Sequence, residues 1–182
     1  NHINTVHKIA DNVSFDEASL ATNLGCVLYG FETVGGFIAG DTVVIVGPGP
    51  IGLSAVQAAR ALGAGKIILL GTRESRLKLA EKTGADVIVN TKEQDPLEVI
   101  MRETGGKGCD LAIEASGSEA GLGLTIKSTK RMGKILLLAF PHKPIPADFE
   151  ELSLNNKHIF TVRGEGWANV GRAVTFLNRG VT

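Results

Sequence analysis

The sequence predicts an α/β fold: a doubly wound parallel sheet of six strands in a single domain, with short helical extensions at its N- and C-terminal ends. Three observations carry this. Short apolar runs alternate with helical stretches along most of the 182 residues. The runs are nearly continuous rather than alternating in polarity, as strands covered on both faces are. A glycine-rich turn, Gly47-Pro48-Gly49-Pro50-Ile51-Gly52, joins the first run directly to a helix.

The bulk numbers narrow the class. The chain is 43% hydrophobic and 21% charged, with 23 glycines, enough apolar material for one α/β core. A net charge of zero and a pI near 7.1 exclude nucleic acid and anionic membrane as favoured partners. No apolar run reaches membrane-spanning length, and no signal peptide is visible at the start. Cys26 and Cys109 stand far apart, outside any C-x-x-C spacing, so neither a disulfide framework nor a zinc finger is expected and the compartment reads as cytoplasmic. The opening at Asn1, without Met, raises the expectation of a piece of a longer polypeptide.

Each element follows from local chemistry. Ser14 is a candidate N-cap for a helix over 15–21, and a second helix is expected over 24–33. Residues 42–46 (TVVIV) form the first strand, and the next helix runs 51–62 with small or apolar residues facing inward. The second strand is 66–70 (KIILL), followed by a helix over 74–82 that Gly84 stops. The third strand is 86–89. Pro96 opens a helix to 104, and a glycine cluster ends it. Strand four is 109–114, a helix spans 120–129, strand five is 134–139 and strand six 158–162. The proline-containing stretch 141–156 reads as a surface connection, and 167–177 as an amphipathic terminal helix. Residues 1–40 are thus a helical lead-in, 41–164 the sheet domain and 165–182 an exit helix.

The glycine turn is the G-x-G-x-x-G dinucleotide fingerprint, and its strand-to-helix context makes it specific. Gly47 permits the tight turn, Gly49 lets backbone approach a pyrophosphate, and Gly52 allows close helix–strand packing. Pro50 has no N–H, so Ile51 and Gly52 are the expected phosphate donors at the helix N-terminus, where the dipole favours an anion. An NAD-selective domain places a carboxylate about 20 residues further on, against the adenosine ribose. Here the second strand ends at Gly71-Thr72-Arg73. Gly71 offers space, Thr72 a hydroxyl and Arg73 a guanidinium suited to a 2′-phosphate. A cation at a helix start is opposed by the dipole by roughly 0.3–1 kcal/mol, which a bound phosphate offsets. Arg76 stands one turn on and is placed to assist. NADP is the expected cofactor, with NAD as the alternative. The missing acid also argues against an S-adenosylmethionine site.

The carboxyl ends of the other strands complete the expected site. Ala115 and Ser116 follow strand four, and Leu138, Ala139 and Phe140 follow or end strand five, with Phe140 fitting pocket wall and core equally. Asn90 ends strand three and is placed to edge the adenine. His2, His7, His142 and His158 have neither metal-ligand spacing nor a nucleophile beside them.

The segments GDTVVIVGPGPIGL, ARALGA, RLKLAEKTGAD, GGKGCDLAIEASG and GKILLL, in this order, resemble the medium-chain dehydrogenase/reductase family, nearest its alcohol, polyol and threonine dehydrogenase branches. The likeness runs from about residue 6 to residue 180. It implies a Rossmann-type cofactor-binding domain of an NAD(P)-dependent oxidoreductase that handles a small alcohol, polyol or carbonyl substrate. The catalytic domain of that family, which supplies most zinc ligands and the proton relay, has no counterpart here. No catalytic or metal residue is therefore expected in this chain, which alone would be inactive, and zinc would enter only through the missing part. The resemblance carries Gly47, Gly49, Pro50, Ile51 and Gly52 over as pyrophosphate contacts and Gly71, Thr72 and Arg73 as 2′-phosphate contacts. Ala115, Ser116, Leu138, Ala139 and Phe140 carry over as ribose and nicotinamide contacts.

One departure stands out. Thr22 occupies the position of a late zinc ligand in zinc-dependent members, and threonine is not an ordinary zinc ligand. Cys26, the nearest thiol, better matches a residue against the nicotinamide than a ligand. This keeps open a zinc-free quinone or enoyl reductase-type domain, and also a non-enzymatic NADPH-binding module. The edge position expected of strand six, with the family's habit of pairing there, points to a homodimer.

Overall fold

The computed structural model describes residues 6–180. His2 lies outside them. Helix α1 (Phe15–Ala18) opens on Ser14, whose hydroxyl accepts the Glu17 N–H while the Glu17 carboxylate accepts the Ser14 N–H, a reciprocal capping box. Helix α2 (Ala21–Thr33) starts three residues earlier than the sequence suggests. Strand β1 (Thr42–Val46) feeds α3 (Pro50–Ala61), then come β2 (Lys66–Gly71), α4 (Glu74–Lys82) and β3 (Val87–Asn90). The second half holds α5 (Pro96–Glu103), β4 (Cys109–Glu114), α6 (Glu119–Ser128), β5 (Thr129–Leu137), α7 (Phe149–Leu154), β6 (His158–Thr161) and α8 (Asn169–Asn178).

All strands are parallel, in the order β3-β2-β1-β4-β5-β6. This is the Rossmann order, with the chain reversing direction across the sheet between β1 and β4. The period of two sorts the strand residues between faces. Val43, Ile45, Ile67, Leu69, Ile113 and Leu136 join a core under α2, α3 and α8. Val44, Val46, Ile68, Leu70 and Ala112 meet α5 on the opposite face. Ile135 packs with Leu122 and Ile126 of α6 and with Leu152 of α7. Each fully buried Val, Ile or Leu here contributes about 1.5–3 kcal/mol.

Besides α1, which ends at Ala18 rather than 21, and α2, two elements differ from expectation. Helix α7 lies inside the predicted surface connection, where Asp148 caps it by accepting the Glu151 N–H at 2.9 Å. Strand β5 begins at Thr129, which pairs with Cys109, and its register then shifts so that Lys134 pairs with Leu111. The intervening Met132 adopts φ +60°, and its N–H is taken by the Asn155 carbonyl at 2.9 Å.

Helix α2 runs antiparallel to β5. The Lys134 ammonium donates to the Val34 and Gly36 carbonyls at 2.8 and 3.0 Å, and a Cβ on Gly30 would touch Leu136 and Leu138. Near the ends of the described chain, the Ala10 N–H donates to Asn178 Oδ1 at 2.8 Å.

Candidate functional site: the dinucleotide crevice

The fingerprint turn is built by close contacts that exclude side chains. Gly47 has φ +112°, a conformation that glycine alone takes readily. Its N–H donates to the Leu70 carbonyl at 2.9 Å. A Cβ on it would lie 2.8–2.9 Å from Ala115 and Ser116 backbone atoms, so the β1–α3 turn sits directly on the β4–α6 turn. A Cβ on Gly52 would fall 1.9 Å from the Gly47 carbonyl oxygen, which holds α3 tight against the strand. Gly49 is the N-cap of α3 and has no side chain to cap it, and Pro50 follows at the first helical position. The N–H groups of Ile51 and Gly52 therefore stand at a bare helix N-terminus. The Leu53 N–H is already bonded to Gly49 O at 2.9 Å. Among the described residues beyond its chain neighbours, only Arg76 Nη1 comes within 4.0 Å of a Cβ placed on Gly49, so Arg76 stands beside the turn and space opens above it.

Beside this turn, at the carboxyl ends of β1, β2 and β4, lies a cavity of about 530 Å³. Its walls include Gly47, Pro48, Gly71, Thr72, Ser116 and Leu124. It opens at the switch point, where open parallel sheets bind ligands. Of the residues expected from the sequence, the structure brings Gly47, Gly71, Thr72 and Ser116 into this cavity, with Gly49, Pro50, Ile51, Gly52 and Arg76 at the adjoining turn. Arg73 is the exposed residue that precedes α4.

Three of the expected site residues have surroundings that the sequence does not show. Gly71 does not offer empty space, because Pro48 fills it: a Cβ there would lie 2.5 Å from the Pro48 ring. The Asn90 amide does not reach the cavity, because it donates to Glu93 Oε1 at 2.6 Å, and Thr91 lines the wall instead. The Leu138 side chain is buried and packs against Gly30 of α2.

Ala139 is half-buried and Phe140 62% exposed, so of its two readings Phe140 is not core. Both follow β5 outside the cavity wall, against Gly117 of the β4–α6 turn. Cys26 lies one turn before Gly30 on α2, beside Glu165. Cys26 is half-buried, and burial, reinforced by the neighbouring Glu165 carboxylate, pushes its thiol pKa up. Thr22 is exposed on the first turn of α2. Among the described residues, no group of three or more His, Cys, Asp or Glu is placed to hold a metal. His7 lies against Gly171, while His142 and His158 are exposed.

Glu114, at the carboxyl end of strand four, has a role that the sequence reading did not assign. Glu114, 3% exposed, ends β4 and folds its carboxylate back under the turn. It accepts the Ser116 N–H at 2.9 Å, the Gly117 N–H at 2.9 Å and the Ser116 hydroxyl. Ser116 in turn meets the Ser118 hydroxyl at 2.8 Å, which caps α6 through the Gly121 N–H. The signal was available: a lone acid ending an apolar strand, followed by small residues whose N–H groups need an acceptor.

A glycine turn against a second strand-end turn, a bare helix N-terminus and a cavity at the switch point define a dinucleotide-binding Rossmann domain. Comparison with known proteins narrows the class. The family model for zinc-binding dehydrogenases matches residues 50–179, and the chain belongs to that family. It is 39% identical over 130 residues to L-threonine 3-dehydrogenase of Bacillus velezensis, covering 70% of this chain and 36% of the relative. It is 35% identical over 158 residues to sorbitol dehydrogenase of Bacillus subtilis, covering 86% of this chain and 44% of the relative. A Sinorhizobium meliloti structure described as a zinc-binding dehydrogenase bound to NADP superimposes with a TM-score of 0.87 at 25% identity, covering 95% of this chain and 51% of that one. The chain thus spans less than half the length of the two curated relatives.

Proposed function

We propose that this chain binds NADP(H) as the cofactor domain of an NAD(P)-dependent alcohol or polyol dehydrogenase. The observation that carries the reading is the fingerprint turn opening onto a switch-point cavity whose β2 rim, Gly71 and Thr72, carries no carboxylate, with the exposed Arg73 following it in the chain. The relatives named for threonine and sorbitol oxidation, and the related structure bound to NADP, support it.

The side-chain-free cradle at Gly47, Gly49 and Gly52 fits a pyrophosphate, with the Ile51 and Gly52 N–H groups as donors. Gly71, Thr72 and Arg73 are the 2′-phosphate contacts, with Arg76 assisting, and Ser116, on the cavity wall, is a ribose contact. Ala115, Ala139, Phe140 and Cys26 face the nicotinamide end. Bound NADP(H) supplies hydride exchange with a carbinol or carbonyl carbon. The chain's own work is to bind and orient. Residues 41–164 form the cofactor unit, and 1–40 and 165–182 connect it to a catalytic part. Zinc, where the family uses it, is held mainly by residues of that other part, as the resemblance implies. Thr22 in the place of a ligand favours a second reading, a zinc-free quinone or enoyl reductase, which metal analysis of the full-length enzyme separates from the first. We place the protein in the cytoplasm, where isolated free thiols persist. We also propose a homodimer through β6, whose one described strand partner is β5 and whose Ile159 is 39% exposed.

Titration of the chain with NADPH and NADH tests the reading. Wild type is expected to bind NADPH more tightly, and Arg73→Ala to remove about tenfold of that preference, since a charge-assisted bond contributes ~1.5–3 kcal/mol. Equal affinities that ignore the substitution would sink the NADP assignment.

A further inference from the structure

We infer that Pro48 is a positioning residue for cofactor choice, acting through Gly71: while a proline ring stands at 48, position 71 cannot carry a side chain. The inference rests on the NADP(H) reading above. A Cβ at 71 would lie 2.5 Å from both Cγ and Cδ of Pro48 and 3.1 Å from Leu77 Cδ2. Real Cβ atoms do not sustain the 2.5 Å separations, and the 3.1 Å one asks Leu77 to give by a few tenths of an ångström, so something has to move.

Neither partner has room to move. The Gly71 carbonyl accepts the Thr91 N–H at 2.9 Å, and the preceding carbonyl, of Leu70, accepts the Gly47 N–H at 2.9 Å. Gly71 is also held in register opposite Asn90. Pro48 is a closed ring without alternative rotamers that could swing aside. It sits between Gly47, pressed onto Ala115 and Ser116, and Gly49, the N-cap of α3. Leu77 is itself core, at 6% exposed.

The consequence concerns chemistry. The end of the second strand is where an NAD-type domain places the acid that bonds both ribose hydroxyls and repels a 2′-phosphate. In this chain the first turn of the fingerprint forbids that acid. Cofactor choice is therefore written in two separate segments, and a change at 71 has meaning only together with a change at 48.

Two measurements on the full chain test this. The first needs no ligand. Gly71→Ala is expected to lower Tm by roughly 5 °C beside Pro48, as overpacking in a chain of this size does, and by less than half as much in the Pro48→Ala background. Equal losses in both backgrounds, including failure of both to fold, overturn the inference. The second reads affinity. Gly71→Asp alone is expected to weaken both NADPH and NADH at least tenfold, whereas Pro48→Ala/Gly71→Asp binds NADH in preference to NADPH by at least tenfold. Gly71→Asp acquiring an NADH preference at wild-type affinity overturns the inference, as does a folded double variant that binds neither. Wild type binding neither cofactor counts against the proposed function instead, and the Tm comparison then judges the packing alone.

Discussion

The two cysteines show how position decides the chemistry of one residue type. Cys109 is fully buried at the start of β4, and loss of hydration pushes its thiol from the ordinary 9.0 up to about 12. The folded state thus keeps this proton while an unfolded chain loses it above pH 9. Stability from this group is complete below pH 9 and falls as pH rises from about 9 toward 12. Urea unfolding of wild type and Cys109→Ala across that range is the check. The difference in pH slope between them is expected to be confined to the alkaline side. Residues of the fingerprint were legible because glycine and proline report backbone directly. Pro48 against Gly71 was not, because two residues of different elements meet only once the strands are in register. Glu114 was hidden for a related reason: its partners are backbone N–H groups, which every sequence contains.

At the level of elements, legibility followed the strength of local chemistry. β1, β2 and β4 matched almost residue for residue because each is a continuous apolar run with a turn at its end. The start of β5 did not, since Thr129-Lys130-Arg131-Met132-Gly133 shows no apolar pattern. Its pairing comes from Cys109 across the sheet and from the Asn155 carbonyl beyond α7. α7 carried a usable cue, Asp148 three residues before Glu151, which the surrounding prolines masked. Helix α5 is held at the cavity by a cap of the same kind. Asp95 accepts the Leu97 and Glu98 N–H groups at 2.9 and 3.3 Å, and Pro96 then lines the wall. Asp95→Ala is expected to cost about 1 kcal/mol, read as a lower urea midpoint with an unchanged m-value.

For the molecule as a whole, the order β3-β2-β1-β4-β5-β6 leaves one switch point, and turns from both halves of the sheet meet there. A ligand held between those turns ties the halves together, so its binding should appear as global stability. NADPH at a hundred times its Kd is expected to add about 2.7 kcal/mol, which in a chain of this size is a Tm rise of roughly 5–10 °C in a thermal melt. No rise would mean that the turns do not grip the ligand. The bond between Ala10 and Asn178 Oδ1 has a different kind of consequence. A polypeptide that enters the domain at one of these residues leaves beside the other, so the whole fold occupies little more than a gap in a host surface. Such neighbouring entry and exit points suit a unit set within a longer chain.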